Sequence, residues 1–371
     1  MGAKSRKWLL LGLAGALIAF LLYRSRHLLN LSDFSGQKLW LAVKSASLAY
    51  ILLSLVLIYL CYLLRAIRWR NFQKYLGPTN LWHIYEMTLA GFSAIFLLGR
   101  AGEPVRPLLI SRKDKIPIAD TFGIYALERL FDTASTAILA AIGLLIFTGE
   151  RHGHPEQTAT AFEAAAKTAG TILCLGVLVA IGMLVYLRVH GTAVLERRMQ
   201  GWLAAHGWRG GVARTLLGFA RGVQTIRTWG DLLFAVVLSA AHWLLVIAIY
   251  YLVSLGFGGK LATLRFQDAI LVVVFTLVGS AVQLPGVGGG SQALTIFAYT
   301  KLFNIEPEIA VAAALVLWII TFASCAIAGV PLLIKEGLSI GELRRLRAQE
   351  DEELDAEMAQ KPAPHSVEAG K

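Results

Sequence analysis

Glu128-Arg129-Leu130-Phe131-Asp132 sets three charged groups within little more than one helical turn of an otherwise apolar run. A spacing of four puts Glu128 and Asp132 on one helical face, and a spacing of three lets Arg129 pair with Asp132. The charges come about ten residues into the run, roughly 15 Å from its start at 1.5 Å per residue. Charged groups at hydrocarbon depth cost at least about 2.5–3.5 kcal/mol each on insertion scales. One account is a structural ion pair that locks helices together, with Glu128 protonated. The other is a polar site facing a cavity, where Arg129 meets a phosphate or a carboxylate takes an amine. A structural pair needs two charges and this group has three, which favours the site.

Two glycine-rich turns carry the remaining candidates. Gly99-Arg100-Ala101-Gly102-Glu103-Pro104-Val105-Arg106-Pro107 offers Arg100, Gly102, Glu103 and Arg106. Glycine lets backbone approach a ligand, free N–H groups cradle an anion, and arginine grips phosphate as a planar fork. Leu284-Pro285-Gly286-Val287-Gly288-Gly289-Gly290-Ser291-Gln292 offers backbone N–H groups around Pro285, Gly286 and Gly289, the Ser291 hydroxyl and the Gln292 amide. It has no following Lys, so it is not a Walker-type nucleotide loop. His242, beside Trp243, is read as hydrogen-bonded structure or as a proton carrier. Arg65 and Arg68, with Trp69, read as an interfacial anchor that also reaches head groups.

The elements that must position these groups follow from composition. Of 371 residues, 56% are hydrophobic and 16% charged, with a mean hydropathy of +0.62. Soluble domains carry about 25% charged residues, so a water-soluble enzyme is excluded and an integral membrane protein is indicated. The excess of 35 Lys and Arg over 24 Asp and Glu then marks cytoplasmic loops rather than a nucleic-acid partner. Cys61, Cys174 and Cys325 lie far apart in apolar stretches and offer neither metal ligands nor a disulfide framework.

A bilayer core of about 30 Å needs roughly 20 apolar residues. Trp8–Tyr23, Trp40–Leu63, Ala119–Phe147, Ala169–Leu187, Leu232–Ser254 and Ile309–Ile334 read as full spans. Trp8–Tyr23 is followed by no small-residue cleavage site and reads as a retained helix. Leu81–Leu98 and Asp268–Leu284 run into the two glycine turns. Arg65, Arg68, Arg70 and Lys74 precede the first of them, and Arg100, Arg106, Arg112, Lys113 and Lys115 follow. A re-entrant hairpin keeps both clusters on the cytoplasmic side, and the same reading of the second segment returns the C-terminus there. A pair of short spans reads much like a hairpin, and that alternative stays open. Residues 211–229 repeat apolar positions at helical spacing, as an amphipathic helix on the inner leaflet or a connecting helix packed on protein. The acidic tail, residues 336–371, is expected to be disordered.

The expected architecture is therefore an all-α polytopic membrane protein with about six full transmembrane helices and two re-entrant hairpins, its N- and C-termini cytoplasmic. Residues 93–102 and 280–289 agree at five of ten positions. Each half (residues 1–168 and 169–335) reads helix, helix, hairpin, helix. An odd number of crossings inverts the second half relative to the first, as in transporters whose repeats meet near the midplane.

The motifs Arg65-Ala66-Ile67-Arg68-Trp69, Gly99 to Arg106, Glu128-Arg129-Leu130-Phe131-Asp132 and Leu284-Pro285-Gly286 come in the order of a known pattern. The sequence resembles the lysylphosphatidylglycerol synthase transmembrane region, or flippase-like domain, over residues 1 to about 335. The resemblance implies a domain that binds or translocates phospholipids or lipid-linked molecules. Relatives that transfer lysine to a lipid carry an added cytosolic domain. Only about 37 residues follow the last predicted helix here, so no aminoacyl transfer is expected. Where the family pattern has a second Gly and a Glu, this chain has Val287 and Gln292, which puts an amine-bearing lipid or proton coupling there in doubt.

The leading expectation is a lipid flippase of the cytoplasmic membrane, with membrane lipids as partners and neither cofactor nor metal. Arg100, Arg106 and Arg129 would neutralise phosphate, and Glu103, Glu128 and Asp132 would set their geometry or read an amine. The alternative is a non-transporting subunit that organises a lipid-modifying enzyme or a glycosyltransferase. No zincin helix, nucleophile elbow or facing aspartates mark an enzyme.

Overall fold

The computed structural model describes residues 35–150, 225–280, 283–284, 286 and 288–337, together with Leu175, Val179 and Gly182. The predicted spans Trp8–Tyr23 and Ala169–Leu187, most of the 211–229 helix, nearly all of the tail, Cys174, Pro285 and Val287 lie outside the described residues.

Among the described residues the chain is a set of packed helices. Helix α1 (Gly36–Ser45) starts at Ser35, whose side chain caps Lys38 and whose own N–H donates to Glu308 at 3.1 Å. The backbone is extended at Ala46 and Ser47, where the Ser47 N–H donates instead to the Gly256 carbonyl. Helix α2 (Leu48–Gln73) follows. The span expected over Trp40–Leu63 is thus divided between two helices. Hydropathy misses the break because apolar residues lie on both sides of it.

Helix α3 (Leu81–Leu98) is capped by Asn80, whose side chain accepts from Trp82 and His83. It ends at Gly99, where φ is +68°, and a 3-10 turn (Gly99–Gly102) leads through Pro104 into α4 (Val105–Asp114). Helix α5 (Ile118–Glu150) completes this half. Helix α6 (Trp229–Phe257) is started by a reciprocal Thr228–Asp231 capping box. Helix α7 (Phe266–Gly279) leads to a minimal antiparallel ladder, β1 (Gln283–Leu284) with β2 (Gly288–Gly289), which closes the turn into α8 (Gly290–Phe297). A wide turn, Ala298–Leu302, extends α8, and a second, Ile319–Ala323, joins α9 (Pro307–Trp318) to α10 (Cys325–Lys335).

Among the described residues, four helical stretches are long and apolar enough to cross a membrane: Leu48–Gln73, Leu81–Gly102, Trp229–Phe257 and Pro307–Lys335. The 14-residue α7 spans only about 21 Å and falls short of the roughly 30 Å core. Large apolar side chains such as Leu52, Val56, Val237, Leu244 and Ile327 are exposed along α2, α6 and α10. Water would penalise such a surface at about 25 cal/mol per Å²; a lipid environment removes that cost. The chain is a multi-pass membrane protein.

Among the described residues the most extensive helix pairings are α6 along α2 and α10 along α3, and α5 also packs along α7. Between α3 and α10, Gly329 sits against the Leu89 carbonyl and the Ser93 hydroxyl. Two apolar cores result. One gathers Ile58, Tyr62, Ile247, Val272 and Tyr299; the other gathers Trp69, Phe72, Ile84, Met87 and Leu127. Along α2 the first core passes to the second between Tyr62 and Ala66. Arg65 stands at that junction and Arg68 one turn beyond.

Candidate functional site

Helices α2 and α5 cross so that two arginines three residues apart meet two carboxylates four residues apart. Arg65 Nη1 lies 2.8 Å from Asp132 Oδ2 and 3.4 Å from Glu128 Oε1. Arg68 Nη2 lies 2.7 Å from Asp132 Oδ1 and 3.1 Å from Glu128 Oε1. Each carboxylate is therefore shared by both guanidiniums. Arg68 also donates to the Ser239 hydroxyl at 2.7 Å, which ties the group to α6.

The first hairpin supplies a third cation from the opposite side. Arg106, on α4, places Nη1 2.6 Å from Glu128 Oε2. Its guanidinium lies 4.5 Å from the centre of the Trp69 ring, a cation–π contact that offsets part of the cost of burial. This position requires α3 and α4 to touch: a Cβ on Gly91 would overlap that of Arg106. Gly102 lies as closely against the Ala94 carbonyl and shuts the hairpin.

Arg129 differs from these three. Its side chain is 37% exposed, is ion-paired among the described residues with Asp132 alone, at 3.4 Å, and stacks over Tyr125. The Tyr125 hydroxyl donates to Glu103 at 2.7 Å, so the hairpin turn and α5 are linked beside Arg129.

In front of this cluster lies a cavity of about 700 Å³, within the range of small-molecule sites. Arg65, Arg100, Glu103, Arg129 and His242 line it, and Gly286 and Gly288 of the second turn close its far side. Phe92, Phe96, Val246 and Leu277 form apolar wall. The second turn touches the end of α3 there: the Gly286 N–H donates to the Phe96 carbonyl at 2.8 Å. Trp243 Nε1, Trp318 Nε1 and His242 Nδ1 belong to lining residues and have no partner among the described residues.

Among the sequence candidates, Arg65, Arg100, Glu103, Arg129, His242 and Gly286 share the cavity wall. Glu128, Asp132, Arg68 and Arg106 form a buried layer behind it. Ser291 and Gly289 both donate to Gln292 Oε1, at 3.1 and 2.6 Å, so Gln292 holds the second turn in shape. Arg65 and Arg68 are turned into the protein, and Arg68 is 1% exposed. Ser239, Tyr125 and the Trp69 stack were not anticipated from sequence, since each is defined by a contact to a distant helix. Four helices, two glycine turns and a buried arginine–carboxylate layer thus recur in chain order with the motifs read in the sequence. The model of the lysylphosphatidylglycerol synthase TM region matches residues 9–329.

The chain belongs to that family. The lysylphosphatidylglycerol synthase TM region comprises nearly all of the chain, both hairpin turns and the arginine–carboxylate layer included. It places the chain among membrane proteins of lipid metabolism or transport. Comparison with curated proteins and with solved structures gives no match.

Proposed function

We propose that this chain binds the head group of a membrane lipid in the cavity between its two glycine turns and carries it across the bilayer. The observation that carries the reading is an arginine-lined cavity enclosed by helices whose outer faces are apolar. A head group enters the polar space while its chains stay along Phe92, Phe96 and Leu277. Guanidinium groups grip phosphate through charge-assisted, often paired hydrogen bonds, and Arg129 and Arg100 are the exposed ones.

An inverted repeat with two re-entrant hairpins supports movement from one side to the other. The packing is reciprocal: α3 of the first hairpin lies on α10, which ends the second half, and α7 of the second hairpin lies on α5, which ends the first. Each hairpin therefore rides on the other half's last helix. In the second hairpin, α7 is too short to cross alone. In this reading both termini are cytoplasmic, the chain catalyses no reaction of its own, and movement is passive or driven by a partner.

The test is reconstitution of purified full-length protein in liposomes containing fluorescent phosphatidylglycerol, with a membrane-impermeant reductant added outside. Translocation bleaches label from both leaflets, and Arg129→Gln removes that second fraction. If only the outer leaflet bleaches, translocation is wrong, and the chain is then read as a subunit that presents lipid to a modifying or glycosyl-transferring enzyme.

A further inference from the structure

Resting on the lipid-site reading, the charges on the cavity wall narrow the head group. The carboxylates Glu128 and Asp132 are shared among Arg65, Arg68, Arg106 and Arg129. Counted with Arg100 and Glu103 on the cavity wall, the described cluster sets five arginines against three carboxylates. The carboxylate on the wall is that of Glu103. That carboxylate accepts from Tyr125, which leaves it less free for an amine.

The neutral groups lean the same way. Indole N–H groups only donate, and those of Trp243 and Trp318 have no acceptor among the described residues. Arg129 Nε is likewise buried without one. Buried donors left unmatched are costly, and more so when charged.

We infer that the cavity recognises a doubly charged phosphoryl head group, a phosphate monoester or a diphosphate ester, in preference to a phosphodiester or an aminoacylated lipid. Two negative charges balance the cluster's excess of two cations, and phosphoryl oxygens supply the missing acceptors. A phosphodiester leaves one cation uncompensated. A lysyl-bearing head group adds positive charge where only Glu103 could answer it.

The experiment is retention of radiolabelled dioleoyl phosphatidic acid on immobilised full-length protein in neutral detergent. Competitors are unlabelled phosphatidic acid, phosphatidylglycerol and lysylphosphatidylglycerol. At pH 8, phosphatidic acid should compete about tenfold better than phosphatidylglycerol, the scale of one charge-assisted contact, with the lysyl lipid weakest. The advantage should shrink at pH 5.5, because a phosphate monoester dianion takes up a proton near pH 6 and becomes a monoanion. Arg100→Gln, at an exposed turn position, should reduce the preference without loss of the folded protein; Glu103→Gln should increase it.

Equal competition by all three lipids, or the best competition by the lysyl lipid, overturns the proposal while leaving a lipid site in place. Absence of retention of any lipid instead overturns the site reading on which it rests. Displacement by millimolar inorganic phosphate would assign the same dianion chemistry to a soluble source, whereas no displacement assigns it to a lipid.

Discussion

Arg106 and Glu128 meet at 2.6 Å, Nη1 to Oε2, and neither side chain is more than 3% exposed. This contact joins the returning arm of the first hairpin to α5, and it shares its carboxylate with Arg65 and Arg68 from α2. Glu128 is therefore the point at which three guanidiniums from two helices are held together.

Loss of Glu128 should be the most damaging single change in the cluster. Removing one partner of a buried ion pair costs about 3–5 kcal/mol, because the other charge stays buried and uncompensated. Glu128→Ala and Arg106→Ala are each expected to lower the thermal unfolding midpoint strongly in detergent. The double variant should lose clearly less than the sum of the two, the signature of groups in direct contact. Additive losses would show that the pair is not coupled.

Arg129 and Arg68 should separate function from stability. Arg68 is nearly fully buried and engages Glu128, Asp132 and Ser239, so Arg68→Gln should destabilise the fold. Arg129 is partly exposed at the cavity, so Arg129→Gln should unfold close to the parent midpoint yet lose lipid retention and translocation. Equal stability losses in both variants would contradict this division.

The contact between α3 and α10 depends on Gly329. A methyl group there would overlap the Leu89 carbonyl and the Ser93 hydroxyl, whose proton reaches the Leu89 and Cys325 carbonyls at 2.8 and 2.9 Å. Overpacking of this kind costs about 1–3 kcal/mol. Gly329→Ala should therefore lower the unfolding midpoint, whereas Gly36→Ala, with open space around it, should not.

The link between the second turn and the end of α3 rests on the Gly286 backbone. Its φ of +69° is a left-handed conformation that costs an L-residue about 1–2 kcal/mol, and its N–H bonds to Phe96. Gly286→Ala should speed amide exchange in the 283–289 segment and in the end of α3, as read by mass spectrometry. Unchanged exchange at both places would show that the second turn and α3 do not support one another.

The charged triplet on α5 was legible because a charge in an apolar run is expensive in any fold. The glycine turns were legible because their residue types interrupt helices. Arg65 and Arg68 were placed at the edge of the bilayer because hydropathy marks where apolar residues stop, not where a helix ends. The break at Ala46 and Ser47 shifts α2 toward its C-terminus, carries both arginines inside the helix, and brings them level with Glu128 and Asp132.

Sequence alone determined the membrane class, the family motifs and the residues too costly to be bystanders, since composition and local spacing suffice for each. Only the tertiary structure decided how the charges divide. Arg68 lies 60 positions from Glu128 and 64 from Asp132, and pairs so distant in the chain are set by how helices cross. That crossing gathers Arg65, Arg68, Arg106 and Arg129 around Glu128 and Asp132. With Arg100 and Glu103 added, two cations remain in excess beside the cavity, and a basic composition becomes a site for an anion.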